Sequence, residues 1–138
     1  MRRRITANDF INTSDIAFVW SELQRIRDLF TSRLQRTVLL QMVNAGLRWD
    51  SNFNAIERNL DALADDGYRP QDMQDTTTWE LQGEQYTGRF LSHFDVNRWF
   101  ISIELLEELI ENTANNLLVT GTYTSSTNRD RQRMGRVR

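Results

Sequence analysis

Between Phe90 and Leu118 apolar residues return at three- and four-residue steps. Val96, Trp99, Phe100, Ile103, Leu106, Ile110 and Leu117 therefore share one face of a predicted helix. Glu104, Glu107, Glu108 and Glu111 fall on the other side, which the pattern assigns to water. Ser92 with Asp95 three residues later predicts a capping box, with Asp in place of the usual Glu. A single amphipathic helix is not stable alone in water, so its apolar face needs partners from elsewhere.

The same pattern supplies two more helices. The first starts near Asn12, where Asn12 and Asp15 repeat the cap of Ser92 and Asp95. Ile16, Val19, Trp20, Leu23, Arg27 and Phe30 trace a face that continues to Leu34. Val38 to Val43 is apolar enough for a buried strand. No turn signal separates it from the helix, so the pattern favours one helix continuing to Gly46. The middle helix covers about Ser51 to Ala64, with Phe53, Ile56, Leu60 and Leu63 as its stripe and Asp65-Asp66-Gly67 as its stop. Residues 65–89 form a long connection. Within it, Thr76 to Leu81 reads as a short strand that could pair with the β-prone stretch Leu117 to Thr124.

The fold expected is mainly α: a small bundle of three amphipathic helices with a long connecting loop, a short β-ribbon and flexible basic termini. Residues 1–9 form a basic N-terminal arm, 10–124 the helical domain and 125–138 a flexible Arg-rich tail.

Charge divides the chain in the same places. All 17 basic residues are Arg. Residues 129–138 hold five Arg against Asp130, a net of +4, whereas residues 5–128 hold 9 Arg against 18 acids, a net of −9. An acidic body opposes broad contact with nucleic acid, and the basic ends leave local contact open. Arg129, Arg131, Arg133, Arg136 and Arg138 suit three roles: solvation, phosphate binding, or order against an acidic neighbour such as a second copy. The last is favoured, because one chain carries both charges. There is no Cys, hence no disulfide or thiolate chemistry. No stretch approaches the roughly 20 apolar residues of a membrane span. Arg2 to Arg4 are not followed by the apolar run of a signal peptide.

The first and last helices align at an offset of 80 residues. Phe10 meets Phe90, Asp15 meets Asp95, Ile16 meets Val96 and Leu23 meets Ile103. Phe53, Asn54, Ile56 and Leu60 fit the frame of Val96, Asn97, Trp99 and Ile103. Either an internal repeat or the general likeness of capped amphipathic helices accounts for this. Both lead to equivalent apolar faces that close a bundle.

Two stretches carry a further pattern. Phe90 to Trp99 reads as a lead with an aromatic residue and a Ser cap, followed by Asp95-Val96-Asn97-Arg98-Trp99. The complementary half is Phe53-Asn54-Ala55-Ile56-Glu57-Arg58-Asn59-Leu60, then Leu63. Together they resemble the run D-hydrophobic-N-R-hydrophobic-E-x-N-I-x-x-L of tail, baseplate and fibre proteins of tailed bacteriophages and prophages, over about a third of the chain. The resemblance departs at Phe100, where the run has Glu, and in the missing Arg after Asn54. It implies an architectural helix docking at a subunit junction, which makes Asn97, Arg98 and Trp99 interface residues. It also implies location in a virion, assembly in the host cytoplasm, and partners among copies of the chain and other virion proteins.

Candidate chemistry is thin. His93 is the sole histidine and has no Ser, Cys or second His beside it to complete a catalytic set. The glutamates of the last helix lack the companion Glu-x-x-His of a bundle metal site. Gly83 and Gly88 stand outside any phosphate loop. Trp20, Trp49, Trp79, Trp99 and Phe100 are first of all core residues, with Trp79 inserted into the core or into a partner. Four Trp exceed the need of a small core, which directs one or two of them, Trp49 and Trp79 especially, to a protein interface. The expected protein is a non-enzymatic adaptor without cofactor or metal. The alternative is a small helical nucleic-acid-associated or regulatory protein using its Arg-rich tail.

Overall fold

Three helices pack around a shared core in the computed structural model, which describes residues 4–6, 11–43, 49–79, 81–82, 85–86 and 91–120. They are α1 (Thr13–Leu34), α2 (Trp49–Leu63) and α3 (His93–Thr120). A two-residue antiparallel ribbon, β1 (Leu81–Gln82) with β2 (Gln85–Tyr86), lies between α2 and α3. The described chain is therefore mainly α.

Cap chemistry sets both long helices. The Asn12 side chain accepts from Ser14 and Asp15 N–H, and the Asp15 carboxylate accepts from Asn12 N–H, a reciprocal box at the start of α1. At α3 the Asp95 carboxylate accepts from both the Ser92 N–H and its hydroxyl. The two helices then run parallel. Phe18 meets Phe100 edge-on, and Arg25 meets Glu107 across 82 residues of sequence, while Arg33 meets Glu111 across 78. A near-constant offset requires parallel axes. It lies close to the 80-residue offset at which the two sequences align.

The core is built from the predicted stripes. Ile16, Val19, Leu23, Ile26 and Phe30 of α1 are buried, as are Phe53, Ile56, Leu60 and Leu63 of α2 and Val96 to Ile110 at the predicted positions of α3. Each large apolar side chain so buried contributes roughly 1.5–3 kcal/mol. Two stripe assignments change. Arg27 lies beside the face rather than in it, pairing with Asp28, and Ile26 takes the buried place. Leu117 is exposed, because α3 extends beyond the partners that cover Ile110 and Ala114.

α1 does not continue to Gly46. It stops at Leu34, where Gln35 turns left-handed at φ 54° and its N–H still reaches the Phe30 and Thr31 carbonyls. Residues 35–43 are neither helix nor ladder strand. The segment is held elsewhere: the Arg36 guanidinium lies 4.4 Å from the centroids of both the Phe30 and Tyr68 rings and donates to the carbonyls of Ala62, Leu63 and Asp65. It thereby caps the C-terminal end of α2, where unsatisfied carbonyls favour a cation. Val38 and Val43 of the same segment are buried. The predicted pairing of Thr76–Leu81 with Leu117–Thr124 is also replaced: Leu117 to Thr120 belong to α3, and Leu81 pairs with Tyr86. Residues 121–124 lie outside the described residues.

Candidate functional site

The two halves of the sequence pattern meet in space. Glu57 on α2 and Arg98 on α3 lie where those helices face each other, at 2% and 8% exposure. A charge in such a place is tolerable only if its lone pairs and protons are matched. The Arg98 guanidinium spans the carboxylate, Nη1 to Oε1 at 2.7 Å and Nη2 to Oε2 at 2.5 Å. The Trp79 and Trp99 indole N–H groups also donate to Oε2, at 3.0 and 2.9 Å, and the Thr77 N–H donates to Oε1 at 3.2 Å. Burial acts to lower the Arg98 pKa, yet the hydrogen bonds and charges of Glu57 and Asp95 outweigh it and raise it above the ordinary Arg value.

The asparagines of the pattern have a second task. Among the described residues, three of them each bind both the N–H and the C=O of one residue in an extended segment, as a neighbouring strand would. Asn54 holds Trp79, at 2.7 Å from its N–H and 2.6 Å to its carbonyl. Asn59 holds Gln41 at 2.7 and 2.9 Å, and Asn97 holds Ile5 at 2.9 and 2.8 Å. Helices α2 and α3 thus secure segments that have no ladder of their own, satisfying backbone groups that would otherwise lack partners. Thr76 adds a hydroxyl bond to Asp61 on α2.

A second polar layer runs along the seam of α1 and α3. Arg4 pairs with Glu104 at 2.7 Å, Arg25 with Glu107 at 2.9 Å and with Glu22 at 2.8 Å, and Arg33 with Glu111 at 3.0 Å. The predicted solvated acidic face is therefore largely a zip between elements. Hydrogen bonds from Arg25 hold the Glu107 carboxyl below its ordinary value, against a smaller opposing effect of burial. The Arg4 and Arg25 values are raised in return, chiefly by their bonds to Glu104 and Glu107 respectively. Partly exposed pairs of this kind give about 0–1 kcal/mol each, so they select helix register more than they add stability.

The predicted interface residues divide accordingly. Trp79, Trp99 and Arg98 lie inside the chain's own core. Trp79 is 3% exposed and packs edge-on to Phe53, because Asn54 holds its backbone and Glu57 accepts its indole N–H. It is not the surface tryptophan that its place in a long loop suggests. Asn97 is half-buried against Ile5, so part of the basic arm belongs to the folded body. The side chain of Trp49, and Arg129, Arg131, Arg133, Arg136 and Arg138, lie outside the described residues.

The outward apolar residues are different ones: Leu39 at 88% and Met42 at 75% on the segment after α1, and Phe94 and Leu117 on α3. His93 stacks its ring 4.0 Å from that of Phe94. Glu57 is the residue missed as a centre. Its only signal was the half-pattern on α2, since Thr77, Trp79, Arg98 and Trp99 are 20 to 42 residues away in sequence. With both oxygens occupied by donors and the residue 2% exposed, Glu57 serves as a structural acceptor.

Among the described residues no three His, Cys, Asp or Glu side chains converge as a metal site, and no helix is long and apolar enough to cross a membrane. No protein-family model matches the chain, and neither a curated protein nor a solved structure does.

Proposed function

We propose that this protein is a non-enzymatic structural subunit of a tailed-phage or prophage particle, an oligomeric adaptor at the tail, baseplate or neck. One observation carries this. Glu57, Asn59, Asn97 and Arg98, polar residues of the pattern that resembles such proteins, all hold helices or backbone segments. Their use is architectural, within the chain rather than at the subunit junction that the resemblance implies, and that use supports a structural role. Neighbouring virion proteins and other copies of the chain are its partners, reached through exposed helix faces, the apolar pair Leu39 and Met42, and the basic ends.

A second reading, a nucleic-acid-associated protein, draws on the +4 charge of residues 129–138. Light scattering of the purified full chain at moderate salt, with and without a nucleic-acid oligomer, separates the two. An adaptor gives a discrete oligomer indifferent to the nucleic acid. A species of 16.3 kDa whose mass rises with nucleic acid, and falls back as salt is added, favours the second reading instead. Deleting residues 125–138 leaves the helical signal intact and weakens assembly on the adaptor reading.

A further inference from the structure

Two helices hold an extended segment with the same pair of residue types. On α3, Asn97 clasps both backbone groups of Ile5, and Glu104, seven residues on, accepts from both terminal nitrogens of Arg4 at 2.7 and 2.9 Å. On α2, Asn54 clasps both backbone groups of Trp79, and Asp61, again seven residues on, accepts the Thr76 hydroxyl at 2.8 Å. Seven residues are two turns, so each pair lies on one face of its helix, about 10 Å apart along the axis. In both places the clasped residue is buried, Ile5 at 8% exposure and Trp79 at 3%. α1 has Ala17 and Gln24 at the positions that align with Asn97 and Glu104, and so lacks the pair.

The two parts of the pair read different things. The amide meets a backbone N–H and C=O whatever the side chain, and so fixes an extended course. The carboxylate selects a donor side chain ahead of the clasped residue, a guanidinium at one seat and a hydroxyl at the other. Each seat is made by one helix, whose own backbone bonds do not involve the segment. The two segments differ in what else ties them down. The segment on α2 is bonded again to Glu57, through the Thr77 N–H and the Trp79 indole, at the centre of the α2–α3 contact. The α1–α3 seam, by contrast, closes through Phe18 with Phe100, Arg25 with Glu107 and Arg33 with Glu111, none of which involves residues 4–6.

We propose that the α3 seat, Asn97 with Glu104, is a docking site for an extended segment in which Arg precedes a branched apolar residue. Its occupant is residues 4–6 of this chain, a strap that leaves and returns while the three helices stay closed. Salt loosens the strap, because the Arg4 side chain is 36% exposed where it pairs with Glu104. The assignment stands independently of the assembly reading above.

Two measurements on the full chain test it. Hydrogen exchange of the wild-type chain compares the Ile5 amide, bonded to Asn97, with the Ile103 amide inside α3. The strap predicts exchange at Ile5 at least about a hundredfold faster than at Ile103, and faster still at high salt. Ile5→Asp then weakens the strap's hold on its own seat, with the helical signal as a check of the fold. A synthetic peptide of residues 1–8 in the wild-type sequence binds this variant saturably and shifts the Asn97 side-chain amide resonances. Adding Glu104→Arg weakens the peptide by about tenfold or more. Equal exchange at Ile5 and Ile103, or loss of the helical signal in the Ile5→Asp chain, makes residues 4–6 part of the cooperative body and overturns the strap. A peptide that leaves the Asn97 amide unmoved overturns the docking site.

Discussion

The Asn59 side chain binds both backbone groups of Gln41, accepting its N–H at 2.7 Å and donating to its carbonyl at 2.9 Å. It lets a helix act as the edge of a sheet. Asn59 is 1% exposed, so its amide is itself shielded from water. Asn59→Ala leaves two backbone groups short of partners and costs about 1–3 kcal/mol. Chemical denaturation measures that loss, and amide exchange at Gln41 shows lost protection before the helices open.

Acid weakens the α1–α3 seam in a defined direction. Glu107 is held below its ordinary value of 4.5 by Arg25. A depressed carboxyl contributes stability that is present above its unfolded value and is lost as pH falls through the lower folded value. Melting temperature therefore declines below about pH 4.5, and Glu107→Gln starts lower at pH 7 but declines less. Equal acid slopes in the two proteins would remove Glu107 from the explanation.

Gln35 adopts a left-handed conformation at φ 54° that L side chains disfavour. Gln35→Gly relieves roughly 1 kcal/mol of that strain, partly offset by the greater freedom of Gly in the unfolded chain. The expected outcome is a gain of about 0.5 kcal/mol in denaturant unfolding, against a loss of similar size for Gly placed within α1.

Arg36 closes the end of α2 while lying against both the Phe30 and Tyr68 rings. Arg36→Met retains the stem but removes three hydrogen bonds and both ring contacts, at about 2–4 kcal/mol. Arg36→Lys recovers only part, since an ammonium cannot present the planar fork. Full stability in the Lys form would show that charge alone suffices.

Local chemistry made the three helices legible. Apolar spacing located their buried faces, and Asn12 with Asp15 and Ser92 with Asp95 located their starts. The end of α1 was not legible, because Gln35 does in the left-handed turn what Gly or Asn usually does, and Val38 to Val43 is as apolar as a helix stripe. What stops the helix is Arg36 reaching carbonyls 26 and 27 residues away, beyond any local pattern. The place of Trp79, in the core or at a partner, was not legible for the same reason. A tryptophan in a long connection looks available to a partner until Asn54 and Glu57 are seen to draw it inward. Arg98 and Asn97 were singled out by motif, but their targets Glu57 and Ile5 are 41 and 92 residues distant.

The central claim is that the two half-patterns exist to hold each other. A double-mutant cycle on Glu57→Leu and Arg98→Met, read by denaturant unfolding, tests it most directly. Each single change strands a buried partner and costs about 3–5 kcal/mol. The double variant, which removes both charges, loses far less than the sum, giving a coupling of at least about 2 kcal/mol. Additive losses, with coupling near zero, would contradict the claim and reduce the meeting of Glu57 and Arg98 to proximity.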